Sequence, residues 1–241
     1  MTTWQGGWYL AKEEFRRIRW KHVMTIIFIG YLSLFLVPMF ADTYEGEEMG
    51  MMYWAVDFVT LTLLPCLGFM STQSFGHYWK SDPYTKKLAA WRVMPIRPNQ
   101  IVLGRILLFI LNALPALIVF FLIFYLVVRM EAPDIELAAF IPFAIMWIGY
   151  SIAMGILYIY FEIGFSGKIY FWFCMIFTLG FLIGMIITSL LLKKSLIVES
   201  YRLCEEGGWW MALIGLVLVA VSIYIGRPLL EKRLKTRSYS S

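Results

Sequence analysis

Histidine, cysteine and charge are all scarce in this sequence, and each scarcity narrows what it can do. Only two histidines occur, His22 and His77, both next to the start or end of an apolar run, so haem ligation and a multi-histidine metal site are not expected. The three cysteines, Cys66, Cys174 and Cys204, are far apart and odd in number; they read as small packing residues, not as a disulfide framework or a metal site. No G-x-x-x-x-G-K-[ST] phosphate loop is present. Internal repeats and low-complexity tracts are lacking too, which leaves inverted-repeat transporter architecture without support. Charged residues make up only 15% of the 241, and they fall in short blocks between long apolar runs.

What is abundant is apolar surface. The sequence is 61% hydrophobic and 18% aromatic, with a mean hydropathy of +0.73, against about 45–50% apolar in soluble domains. Runs of spanning length lie at 23–40, 52–75, 101–128, 137–161, 169–192 and 209–226, each able to cross a hydrocarbon core of about 30 Å as a helix. The expected fold is therefore all-α and polytopic, with six transmembrane helices over 23–226. Segment 1–22 precedes them and a basic tail, 227–241, follows. Between the fourth and fifth spans only 161–168 intervenes, which reads as a tight turn containing Glu162. The first apolar run lacks a small-residue cleavage site and is expected to stay in the membrane.

Orientation follows from lysine and arginine, which are retained on the cytoplasmic side of short loops. Basic residues crowd the N-terminal segment (Lys12, Arg16, Arg17, Arg19, Lys21), loop 76–100 (Lys80, Lys86, Lys87, Arg92, Arg97), Lys168, and the tail (Arg227, Lys232, Arg233, Lys235, Arg237). The opposite loops hold only Arg129, Lys193, Lys194 and Arg202, among many acids. Both termini are thus expected in the cytoplasm. The net charge of +5 belongs beside anionic lipid, and no nucleic-acid partner is expected.

Two cytoplasmic segments carry a pattern. In the first, Trp4, Trp8, Ala11, Phe15, Ile18 and His22 recur at helical spacing, with Arg16 and Arg19 elsewhere on the wheel; this is an amphipathic helix for the membrane surface, with Trp8, Phe15, Arg16, Ile18 and Arg19 as its interfacial residues. In the second, Ser81 or Asp82 can cap a helix whose first residue is Pro83 and which Pro95 bounds. Its Tyr84, Leu88 and Trp91 share a face that suits either a groove on another protein or the chain's own bundle and lipid.

Within the spans the polar residues are Asp57, Gln73, Arg105 and Asn112. An ionisable group at membrane depth is a functional candidate by default, although Asp57 is near enough to a span end to reach interfacial water. Gly180-x-x-x-Gly184 could serve close helix packing or a dimer face, and Gly149-x-x-x-Ala153 with Ser151-x-x-x-Gly155 could allow close helix packing. The external loop 193–208 is too apolar, through Leu196, Ile197, Val198, Tyr201 and Leu203, for a free solvated segment. It is read as dipping into the membrane or lying on it, over a pathway or simply at the interface.

Taken in order, these features resemble an ABC transporter permease of the type-2, exporter class. Trp8-Tyr9-Leu10-Ala11-Lys12-Glu13-Glu14-Phe15-Arg16-Arg17 leads into span one. The loop after span two ends in Met94-Pro95-Ile96-Arg97-Pro98-Asn99-Gln100-Ile101-Val102-Leu103-Gly104-Arg105, similar to that family's passage from coupling helix into span three. The resemblance implies that Pro83 to Arg92 is the coupling helix, with Asp82, Pro83, Tyr84, Lys87, Leu88, Trp91 and Arg92 meeting a cytoplasmic ATPase subunit. It further implies a second permease subunit, identical or homologous, in a bacterial plasma membrane. ATP and Mg would be bound by the ATPase, leaving no cofactor and no catalysis in this chain. The cargo would be amphipathic, peptide or lipid-like. Two other classes compete with this one. An intramembrane protease lacks its constellation, since Glu13-Glu14 is followed by Arg16 and Arg17 and later spans have no histidine. A non-transporting scaffold or regulatory subunit fits the same topology.

Overall fold

A computed structural model describes residues 2–17, 22–46, 53–69, 87, 88, 91 and 96–237. The described residues contain no strand. The helices are α1 (Thr3–Arg17), α2 (His22–Glu45), α3 (Tyr53–Leu63) continued by a 3-10 turn (Pro65–Gly68), α4 (Pro98–Glu131), α5 (Leu137–Gly164), α6 (Gly167–Leu192), α7 (Leu196–Glu205) and α8 (Trp210–Thr236). Pro65 has no N–H to continue the α-helical ladder, and the chain tightens there into the 3-10 turn.

Five of these helices, α2, α4, α5, α6 and α8, are long and apolar enough to cross a membrane. The shortest has 24 residues, about 36 Å at 1.5 Å per residue, against roughly 30 Å of hydrocarbon. The chain is a multi-pass membrane protein. Tyr53–Gly68 is apolar but shorter, and the rest of the second expected run, 70–75, lies outside the described residues. α8 continues without a break through most of the expected basic tail, to Thr236, helped by the Arg227–Glu231 pair one turn apart at 3.0 Å.

Positive and negative side chains segregate. α1, the start of α4, the 165–166 turn and the end of α8 form a basic end; the end of α2, residues 132–136 and α7 form an acidic end. Between them the closest packing is α5 against α8. A Cβ at Gly149 would strike the Gly215 backbone, and one at Gly215 would lie 2.6 Å from the Ile145 carbonyl oxygen. Such contact brings two backbones together where lipid offers no hydrophobic drive. Gly155 likewise takes the Phe109 ring, so the small residues of the fourth apolar run pack as their spacing predicts.

Gly180 and Gly184 do not. Among the described residues no atom lies within 4 Å of a Cβ built at either, so neither glycine brings α6 close to another described helix. α6 packs against α3 and against α5 through Phe161 and Phe173, stacked at 3.7 Å, and leaves Trp172, Ile176, Leu179 and Ile183 open. Gly149→Val should separate α5 from α8 and lower stability by about 1–3 kcal/mol or more, whereas Gly180→Ala should not. Melting of the detergent-solubilised protein measures both, and equal melting of the two variants would refute the close approach.

Candidate functional sites at the two ends of the bundle

At the basic end the central feature is a buried ion pair. Arg105 Nε donates to Glu162 Oε2 at 3.0 Å, and its Nη2 lies 2.9 Å from Oε1 and 2.7 Å from Oε2. The two side chains are 5% and 0% exposed. Glu162 was expected at a turn; it sits instead in the last turn of α5, which runs to Gly164. A planar guanidinium matches a carboxylate with two parallel bonds, and burial without a counter-charge would be prohibitive. The Phe69 ring flanks Arg105 at 5.9 Å.

The carboxyl end of α5 is closed from α8. Arg233 Nε donates to the Gly164 carbonyl at 3.2 Å and its guanidinium stacks over Phe165 at 4.3 Å. Arg237 donates to the Ile163 carbonyl. Cations beside the last carbonyls of a helix satisfy orphan acceptors and oppose the negative end of its dipole.

α1 docks on the first turns of α4. A Cβ at Gly6 would strike the Gln100 side chain, one at Gly7 would lie 3.0 Å from Leu103, and the Gly7 carbonyl lies 3.1 Å from a Cβ built at Gly104. Gln100 Nε2 also donates to the Thr2 carbonyl at 3.4 Å. The docking face is thus Gly6, Gly7 and Ala11, all buried, while Trp4, Trp8 and Phe15 stay exposed. Arg16 is exposed; Ile18 and Arg19 lie outside the described residues. Sequence pattern drew attention to the tryptophans and missed the adjacent glycines, although Gly6-Gly7 facing Gly104 is itself a close-approach signal.

Of the expected loop helix, Asp82, Pro83, Tyr84 and Arg92 lie outside the described residues. Lys87, Leu88 and Trp91 are helical. Lys87 pairs with Glu14 of α1 and lies 4.8 Å from the centre of the Trp91 ring. Leu88 is 2% exposed and belongs to the core, with Trp91 half-buried against it. A partner's groove for the Leu88 face is therefore corrected: the side chain is turned into the chain's own bundle, the alternative that the pattern had left open.

At the acidic end, Asp57 is 1% exposed. It does not reach water. Its Oδ1 accepts from Ser195 Oγ at 2.7 Å and from the Ile197 N–H at 3.0 Å, and its Oδ2 accepts from the Leu196 N–H at 2.8 Å. It is the capping group of α7, supplied by α3. The external segment is thus a helix with Ile197, Val198, Tyr201 and Cys204 buried. Tyr201 is seated among Phe40, Phe140 and Phe143, with centroids 5.7 to 6.5 Å away. Trp147 Nε1 donates to Ser200 Oγ at 3.1 Å, the Glu136 N–H donates to Tyr201 Oη at 3.1 Å, and Arg202 donates to the Tyr44 carbonyl at 3.0 Å. Burial pushes the Tyr201 phenol and the Cys204 thiol up, with Glu205 adding to both.

Asn112 donates to the Leu108 carbonyl at 2.7 Å, and its Oδ1 has no partner among the described residues. Gln73 lies outside them. No cluster of three or more His, Cys, Asp or Glu suited to a metal occurs among the described residues. No family model matches the chain, and no curated protein or solved structure matches it either.

The ion pair yields a direct expectation. Arg105→Met or Glu162→Leu alone should cost about 3–5 kcal/mol by leaving one buried charge unpaired, and the double variant should recover most of it. Denaturant titration in mixed micelles reads the difference, and additive losses would show that the pair does not act as a unit.

Proposed function

We propose that the chain is the transmembrane permease subunit of an ATP-driven exporter of the type-2 ABC class, with six spans and both termini in the cytoplasm. A separate cytoplasmic ATPase binds ATP and Mg, and the cargo is an amphipathic, peptide or lipid-like compound. The observation that carries the reading is the Lys87–Glu14 pair. It ties the loop after α3 to α1, and α1 is pressed onto the base of α4. Force applied to that loop is then shared with a surface helix and a spanning helix at once. Leu88 anchors the loop in the core, and contact with the ATPase falls to the other loop residues, among them Asp82, Pro83, Tyr84 and Arg92. The ATPase must hold the loop differently in its two nucleotide states, because equal contact in both would shift nothing.

α6, with Trp172, Ile176, Leu179 and Ile183 exposed and open space beside Gly180 and Gly184 among the described residues, is where a second permease subunit, identical or homologous, is proposed to pack. The exposed Trp4, Trp8 and Phe15, with Arg16 and Arg17 nearby, rest on inner-leaflet lipid. A non-transporting scaffold or regulatory subunit is the second reading, favoured by the burial of Leu88, which leaves less apolar surface on the loop for a motor.

Mild solubilisation should bring down a Walker-type ATPase at equal stoichiometry, and reconstitution with it should stimulate hydrolysis; recovery of the chain with no ATPase selects the scaffold. Glu14→Lys should cut that stimulation by about fivefold, in proportion to a pair worth about 1 kcal/mol, and Glu14→Lys with Lys87→Glu should restore it. A swap that fails to restore stimulation, in a protein of unchanged stability, would remove the linkage from the proposal.

A further inference from the structure

α7 is held at its two ends in opposite ways. Its amino end is fully satisfied only while it rests on α3. The Leu196 and Ile197 N–H groups are taken by Asp57, the Val198 N–H by Ser195 Oγ at 3.4 Å, and Ser195 Oγ itself donates to Asp57. The first turn of a helix has no carbonyls of its own for these groups, and a carboxylate there gains from both the donors and the dipole. The carboxyl end is a glycine pair. Gly207 adopts φ +92, a left-handed conformation open to glycine at little cost, and Gly208 approaches the Leu203 carbonyl too closely for any Cβ. Before α7, Lys193 stands at φ 51, ending α6 in the left-handed manner of a helix stop.

Beside these polar contacts, a small gap beneath α7 is lined mainly by apolar side chains, Leu36, Phe40, Val56, Phe120, Trp147 and Ile197 among them, and Tyr201 packs on Phe40 of α2 and Phe143 of α5.

We propose that α7 is a hinged roof over the acidic end of the bundle, latched shut by the Asp57 carboxylate at its amino end and swinging about Gly207-Gly208. The latch is reversible because of where it sits. When α7 lifts, Asp57, Ser195 and the Leu196 and Ile197 amides exchange one another for water at the membrane boundary, so this part of the opening costs the difference between two solvated arrangements; the Trp147–Ser200, Glu136–Tyr201 and Arg202–Tyr44 bonds are broken with it and favour the closed roof. Asp57 lies on the span that leads to the Lys87 loop, so displacement of α3 along its own axis pulls on the amino end of α7 directly. The proposal stands on these contacts and does not require an ATPase.

Cys204, on the buried face of α7 at 3% exposure, reports the roof. The full chain in lipid nanodiscs is treated with a membrane-impermeant maleimide and labelling at Cys204 is timed by peptide mapping, with hydrogen exchange over 150–160 of α5 as the measure of an intact bundle. Asp57→Asn is expected to speed labelling about tenfold or more, the factor that follows from loss of a charged acceptor of hydrogen bonds. Ser195→Ala should speed it by a smaller factor, with exchange in α5 unchanged in both variants. An unaltered labelling rate in both variants overturns the latch. So does a faster rate accompanied by faster exchange throughout α5, since Asp57 would then hold the bundle and not a roof. Should Asp57→Asn fail to give monodisperse protein, Ser195→Ala decides between the same outcomes.

Discussion

The arrangement of the bundle depends first on the contact between Arg105 and Glu162. Neither charge could remain at this depth alone, and each is matched by the other through a bidentate geometry that fixes α4 against α5 in both height and rotation. Sliding the two helices by one residue would move the guanidinium about 1.5 Å along the axis and cost one of its bonds. The neighbouring contacts inherit this register. α1 docks on the turn of α4 just before Arg105, and Arg233 and Arg237 close the carbonyls immediately after Glu162.

The acidic end solves the same problem with a different pairing. A carboxylate on α3 is matched there not by a cation but by the amino end of another helix, with three donors converging on it. Each solution has its own mechanical character. The ion pair is enclosed by protein on all sides, whereas the cap is made at a chain reversal flanked by left-handed residues at Lys193, Gly207 and the tight Gly208. The first resists motion; the second concentrates it in one short helix.

Much of the architecture could be read from the residues alone, because span length is a one-dimensional property. The observed α5 and α6 begin and end within three residues of the apolar runs that announce them, and the amphipathic first helix is present where its spacing places it. The pairings could not be read. Arg105 and Glu162 are 57 positions apart, Asp57 and Ile197 are 140, and no periodicity links them. Asp57 was recognisable as costly but not as a cap, since its partners are backbone amides, which every residue but proline carries. Glu162 was misplaced because Gly164, Ser166 and Gly167, just after it, resemble turn signals. Leu88 shows the limit of amphipathic reasoning. An apolar face at helical spacing states that something must cover it, and here the chain's own bundle does so.

Glycine makes the same point in the other direction. Gly149 and Gly180 have equivalent spacing to a small partner four residues on, yet one lies against a backbone and the other against no described residue. What separates them is the neighbour. Gly149 faces Gly215, so two small residues meet and the helices can close, while Gly180 and Gly184 fall on the same helical face as Phe173 and Phe177, whose rings pack on Tyr158 and Phe161 of α5. Those bulky rings hold α6 off α5, so its glycines meet no backbone among the described residues. A helix secured to α3 and α5, and exposed at Trp172, Ile176, Leu179 and Ile183, has its remaining packing energy available to whatever lies beside it in the membrane.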